Sequence, residues 1–248
     1  MNQTQRAYIY GITTLEANLS ETLHGIGDLS VTITKLPSLG FGLIISNLPP
    51  DFGELEFEDT VKQVRVLERI MGQGMTVIPI RFGTVTKSLT DLVKSLQSHQ
   101  TSIKRELQRL KGMTEVGVKV YWKKDKLKQE LLQHSEYTPL VAKAQTDRTA
   151  AIELGQWIEQ VVEEWRNLAI SQLHEPMKKV AAGAVQGGIT SVEMIYNGSF
   201  LVDSNQANRL QQVIQTLADK FGERYDFHCT THLPPYNFVN LKINWSNQ

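Results

Sequence analysis

The second half of this 248-residue chain switches its hydrophobic period in a fixed order, and that order leaves few folds open. Val116 to Trp122 reads as a strand. Lys123 to Lys128 starts a short helix, and Pro139 breaks the chain before a longer one. From about Asp147 to Leu173, the residues Leu154, Trp157, Ile158, Val161, Trp165 and Leu168 recur at helical spacing, with Pro176 just past the end. Val180 to Tyr196 reads as a strand with Gly183 to Gly188 inside or beside it. Asn197-Gly198 predicts a tight hairpin turn, and Phe200 to Val202 returns. Asn205 to Phe221 is a helix through Leu210, Val213, Ile214 and Leu217, after which Tyr225 to Thr230 is a last strand.

That order is β-α-β-β-α-β, the ferredoxin-like sequence of elements. An apolar tail from Phe238 to Ile243 follows Pro234-Pro235. A β-prone segment after a complete unit must pair somewhere or leave a sticky edge, so the tail is expected either to add to a sheet edge, within the chain or on a partner, or to complete the C-terminal core. The first half is a looser α+β pattern. Arg6 to Ile12, Val31 to Thr34, Phe41 to Asn47 and Val77 to Ile80 read as strands, and Leu15 to Leu23 as a weak helix. Val61, Val64, Leu67, Ile70 and Met71 mark a helix from Asp59, which is its expected cap. One long helix is expected from about Ser88 to Leu110. The predicted architecture is α+β with two domains. Residues 1–111 form an N-terminal α+β domain. Residues 112–248 form a C-terminal ferredoxin-like domain with an extra C-terminal tail strand.

Lys and Arg balance Asp and Glu at 26 each, so the net charge is zero. A non-specific polyanion binder needs a basic surplus to displace counterions, so nucleic acid is not an expected partner. The single cysteine, Cys229, rules out an intramolecular disulfide and fits a reducing compartment. There is no basic segment followed by an apolar stretch at the N-terminus, and no apolar run nears the ~20 residues that span a bilayer. A soluble cytosolic protein with no lipid-membrane partner is expected.

Candidate chemistry is sparse. Gly25-Ile26-Gly27 and the Gly183 to Gly188 stretch lack phosphate-loop spacing. His228, Cys229 and His232 have ligand chemistry, but a structural zinc site takes four ligands, and strand alternation sends His228 and Cys229 to opposite faces. Cys229 lacks the base and orienting group of a nucleophile. Glu163-Glu164 reads as a solvated helix face, and Lys123-Lys124-Asp125-Lys126 as a solvated helix start. Tyr121 and Phe200 could face bases on a sheet, but the surrounding sequence lacks an RNA-binding signature. Trp157 and Trp165 on one helical face read as core anchors rather than a ligand cage. No catalytic residue, metal or cofactor is expected. Arg81 is the exception. It follows a short apolar strand and precedes Phe82-Gly83, and it reads either as a structural ion pair or as a docking site for a partner's carboxylate.

Four fragments occur in order: Tyr8-Ile9-Tyr10-Gly11-Ile12, Val77-Ile78-Pro79-Ile80-Arg81-Phe82-Gly83-Thr84-Val85, Gly117-Val118-Lys119-Val120-Tyr121 and Leu233-Pro234-Pro235-Tyr236-Asn237-Phe238-Val239. Together with Leu67-Glu68-Arg69 and the Asn197 to Val202 block, they resemble the gas vesicle protein F/L family from near Tyr8 to near Val239. Ile80 and Lys123 are small departures from the family pattern. The resemblance implies a non-enzymatic accessory or minor structural protein of gas vesicles, the hollow protein shells that confer buoyancy. It implies binding to the major shell protein, of the GvpA type, with other accessory proteins as further partners. It also implies a shell-associated location, assembled in the cytoplasm, with the gas-facing inner surface as the expected side. Under this reading the contact residues are Arg81, Phe82, Tyr236, Phe238, Val239 and Leu241. The competing reading is a ferredoxin-like regulatory module that binds a small molecule without catalysis.

Overall fold

The computed structural model describes residues 6–241. In chain order the elements are β1 (Ala7–Thr14), β2 (Leu23–His24), β3 (Ser30–Leu36), β4 (Phe41–Asn47), α1 (Phe57–Gly72), β5 (Val77–Pro79) and β6 (Val85–Thr86). Then come α2 (Leu89–Gln97), α3 (Gln100–Arg109), β7 (Met113–Trp122), α4 (Lys124–Leu131), α5 (Tyr137–Ala144) and α6 (Arg148–Lys178). The remainder is β8 (Gly183–Gln186), β9 (Met194–Asp203), α7 (Ala207–Phe221) and β10 (Tyr225–Leu233), with a 3-10 turn at Tyr236–Phe238. The class is mixed α+β, as expected. The chain packs as two compact units. Among the described residues, one comprises 6–115 together with 232–241, and the other is Val116–Thr231. The sequence reading groups the tail with the second domain; in the structure its described residues pack into the first unit.

In the first unit the strand order is β2-β3-β4-β1-β5, with β6 also pairing with β1. Ala7 to Thr13 are all buried, so β1 is the axis of the unit. It runs antiparallel to both β4 and β5. Gly11 is needed there, because a Cβ would sit 2.8 Å from the Ile78 carbonyl oxygen of β5. Helix α1 buries Val66, Leu67 and Ile70 against Tyr8, Tyr10, Ile44 and Val77. It begins two residues before the expected cap. Asp59 acts from inside the first turn, accepting the Glu56 N–H at 3.0 Å.

The weak helix expected from Leu15 does not form. Asn18, Ser20 and Thr22 favour local side-chain bonding over helix, and Leu23 pairs with Val31 instead. The long helix expected to Leu110 is two, because Ser98 and His99 interrupt it between α2 and α3.

The second unit has the strand order β10-β7-β9-β8. Its core joins Val118, Val120 and Trp122 to Leu173 and Met177 of α6, Phe200 of β9, and Leu210 and Ile214 of α7. Pro176 lies inside α6 rather than past its end. The Asn197-Gly198 turn is also overturned, since both residues lie within β9. Gly198 is there for clearance: a Cβ would come 2.2 Å from the Tyr196 hydroxyl, which bonds His174 Nδ1 at 2.7 Å. The hairpin connection is instead residues 187–193. Asn197 Nδ2 donates to the Gly188 carbonyl at 2.8 Å. Buried Arg166 donates to the carbonyls of Ser191, Val192 and Met194 at 2.9, 3.0 and 2.9 Å. Asp203 caps the start of the next helical segment by accepting the Asn205 N–H at 2.8 Å.

Candidate functional site

Two of the distinctive sequence fragments meet in the first unit. After β5 the chain turns through Ile80-Arg81-Phe82-Gly83, with Gly83 at φ 81°, a conformation that favours glycine. The Gly83 N–H donates to the Tyr8 hydroxyl at 3.0 Å. The Tyr8 hydroxyl in turn donates to Gln63 Oε1. Gln63 is 1% exposed, so its amide must find partners in the protein. Its Nε2 donates to the Ile80 carbonyl at 2.7 Å and to the Tyr236 hydroxyl at 2.6 Å. One buried glutamine on α1 thus ties the strand exit, β1 and the tail together. Burial raises Tyr8 above the ordinary phenol value and pushes Tyr236 up to about 12, so both rings stay protonated at neutral pH.

The tail is held along its length. Pro234 and Pro235 are buried, and Thr114 Oγ1 donates to the Leu233 carbonyl at 3.2 Å. Proline's fixed φ and the Phe238 N–H to Pro235 carbonyl bond at 3.1 Å close the 3-10 turn. Glu115 accepts from the Asn237 backbone N–H at 3.0 Å and from Asn237 Nδ2 at 2.6 Å. Phe238 is 7% exposed, and its carbonyl accepts from Arg109 Nη2. Arg109 also grips Glu106 through Nε and Nη2 at 2.9 and 2.7 Å, and Glu106 accepts the Asn240 N–H at 2.7 Å. Burial alone would raise the Glu106 carboxyl. The donors Arg109 and Asn240 outweigh it and hold the group below the ordinary carboxylate range.

The expected tail strand is therefore corrected for residues 236–241, which carry a turn and no strand. Proline, a 3-10 turn and backbone groups already bonded to Glu106, Arg109 and Glu115 leave no ladder to extend. Lys242 and Ile243 lie outside the described residues.

Of the six residues expected to meet a partner, Phe238 is buried, and Tyr236, Val239 and Leu241 are partly buried. Phe82 is partly buried against the same apolar cluster, its ring 6.4 Å from Tyr8. Arg81 is exposed, and its guanidinium makes no ion pair among the described residues. Thr84 Oγ1 donates to its backbone carbonyl at 2.7 Å. Gln63, Glu106, Arg109 and Glu115 escape a sequence reading, although Gln63 on the apolar face of α1 leaves a signal of its own.

Elsewhere, His228 and Cys229 are exposed on β10, and His228 meets the Tyr121 ring edge-on at 5.4 Å. Among the described residues no group of three His, Cys, Asp or Glu side chains could hold a metal ion, and no helix is long and apolar enough to cross a membrane. Trp157 packs on His134 and Tyr137, while Trp165 packs on Trp122.

The family of gas vesicle synthesis proteins GvpL/GvpF matches residues 6–240. Gas vesicle protein F of Nostoc sp. strain PCC 7120 is 25% identical over 241 residues, covering 94% of this chain and 98% of that protein. Gas vesicle protein F of Dolichospermum flosaquae is 27% identical over 188 residues, covering 71% and 75%. The crystal structure of GvpF from Anabaena sp. PCC7120 superposes with a TM-score of 0.79 at 24% identity, covering 96% of this chain and all of that one, so the fold is shared. The turn after β5 and the tail, brought together on Gln63, both lie inside the matched span. The chain therefore belongs to the GvpL/GvpF family of gas vesicle synthesis proteins, and its role is a gas vesicle one.

Proposed function

We propose that this protein is an accessory or minor structural component of gas vesicles that binds the major shell protein and assists nucleation and assembly. The observation that carries the contact site is the Arg81 turn. Its backbone is fixed from both sides, by Gln63 at Ile80 and by Tyr8 at Gly83, while the Arg81 side chain points out unpaired among the described residues. The fixed turn spares the backbone ordering cost of binding, and the planar guanidinium fork matches a carboxylate or a carbonyl. Apolar surface is available as well. Phe57 and Val61, one turn apart on α1, are 87% and 47% exposed. Within this reading Arg81 and Phe82 make the contact together with Val239 and Leu241 of the tail, and Tyr236 and Phe238 hold the tail in place through Gln63 and Arg109. The second unit is a ferredoxin-like module; its element order and the central position of its first and third strands support that assignment.

The test is co-expression of the tagged chain with the major shell protein. Wild type should retain shell subunits. Arg81→Glu should lose most of them while its circular dichroism is unchanged. Equal retention by the variant moves the contact elsewhere, and no retention by wild type removes the binding role.

A further inference from the structure

The second unit holds a small inlet that the gas vesicle reading does not use. Its volume is about 180 Å³, close to that of about six water molecules, which suits one side chain rather than a cofactor. Three rings wall it. Trp122 and Trp165 have centroids 5.3 Å apart and tilted by 54°, and Trp122 and Tyr225 meet edge-on at 4.8 Å. Leu168, 67% exposed, stands at the mouth. Arg224 Nη2 pairs with Glu130 Oε1 at 2.6 Å on the rim. Trp122 and Tyr225 also belong to the main apolar cluster of the unit, so the inlet opens into its core.

Two features mark it as a binding site. Tryptophan, tyrosine and arginine, the residues enriched at interface hot spots, meet here around a small recess whose exposed lining, with Glu130, Gln172 and Arg224, is mainly polar. Trp122 is also only 4% exposed, and its indole N–H has no acceptor among the described residues. Buried tryptophans ordinarily find one. The indole group can only donate, and the Glu130 carboxylate is already paired with Arg224, so the recess favours a neutral ligand with an acceptor over a cation.

We propose that this inlet receives one apolar residue of a partner's extended segment. The side chain lies among Trp122, Leu168 and Tyr225. The backbone carbonyl accepts from the Trp122 N–H once Trp165, the partly buried outer ring, turns aside. The site is independent of the Arg81 turn and stands whether or not that turn binds shell subunits.

N-acetyl-leucinamide is the probe, read on the indole N–H signals of the full ¹⁵N-labelled chain, which has four tryptophans. Trp122→Phe assigns the signal. Titration should move the Trp122 signal downfield and saturably. Leu168→Glu, a change at an exposed position, should weaken binding about tenfold. A Trp122 signal unmoved by the probe overturns the proposal. So does an equal response to N-acetylglycinamide, which has no side chain, or binding of tetramethylammonium in its place, which would make the inlet a cation cage.

Discussion

The turn after β5 and the tail from Pro234 are equally conspicuous in the sequence, yet the structure treats them oppositely. In the tail, Phe238 is buried, Tyr236 bonds Gln63, and Asn237 and Asn240 donate to Glu115 and Glu106. In the turn the backbone is equally well bonded, but Arg81 is left in solvent. Both fragments use the same glutamine. A rare motif can thus be rare for structural reasons, and the residue the local network leaves unused, Arg81, is the one proposed to meet a partner. The same contrast explains why deleting the tail is a poor test of binding, since it would remove part of the core of the first unit.

The largest effect expected from breaking this contrast is on stability. Phe238→Ala should destabilise the first unit by about 3–5 kcal/mol, read by urea unfolding, because it empties a buried aromatic site. Glu106→Gln should come next, at about 1.5–3 kcal/mol near neutral pH, since it loses charge-assisted bonds from Arg109 and Asn240. Its pH signature has a fixed sign. The folded carboxyl titrates lower than the unfolded one, near 4.3, so its contribution is complete above that value. It is lost as pH falls through the lower folded value, and Glu106→Gln should flatten that acid limb.

Tyr236→Phe should cost about 0.5–1.5 kcal/mol, because Gln63 keeps its bond to Ile80. Tyr236 has the opposite pH sign. Its stabilisation is intact below the ordinary phenol value near 10 and is lost as pH rises toward about 12, so the phenylalanine variant should lose part of the alkaline limb. Arg81→Glu should change stability least, by under about 0.5 kcal/mol, while removing shell-protein retention. A large loss of stability there would erase the distinction between turn and tail.

The element order of the second unit was legible because apolar stripes such as Leu210 to Leu217 mark the face that one helix buries, although Leu168 of the α6 stripe stands in solvent. The Asn197-Gly198 turn misled because glycine serves two ends. It permits positive φ, and it also clears space, here for the Tyr196 ring. The short distance between Tyr236 and Gln63 could not be read at all, since 173 positions separate them. The tail misled for a related reason. Its apolar residues suggested a strand, but the acids and the arginine that hold its backbone lie at 106, 109 and 115. Arg81 reads from the sequence as a structural ion pair or a docking group; among the described residues it makes no ion pair, and docking is the reading proposed above.

Hydrogen exchange on the full chain tests most directly whether the tail is part of the first unit. The comparison is wild type against a variant carrying both Tyr236→Ala and Phe238→Ala. The account predicts that amides of β1, β4 and α1 exchange at least about a hundredfold faster in the variant, while those of β9 and α7 keep their protection. Unchanged protection in β1, β4 and α1 would contradict it and return the tail to a free segment available for a partner.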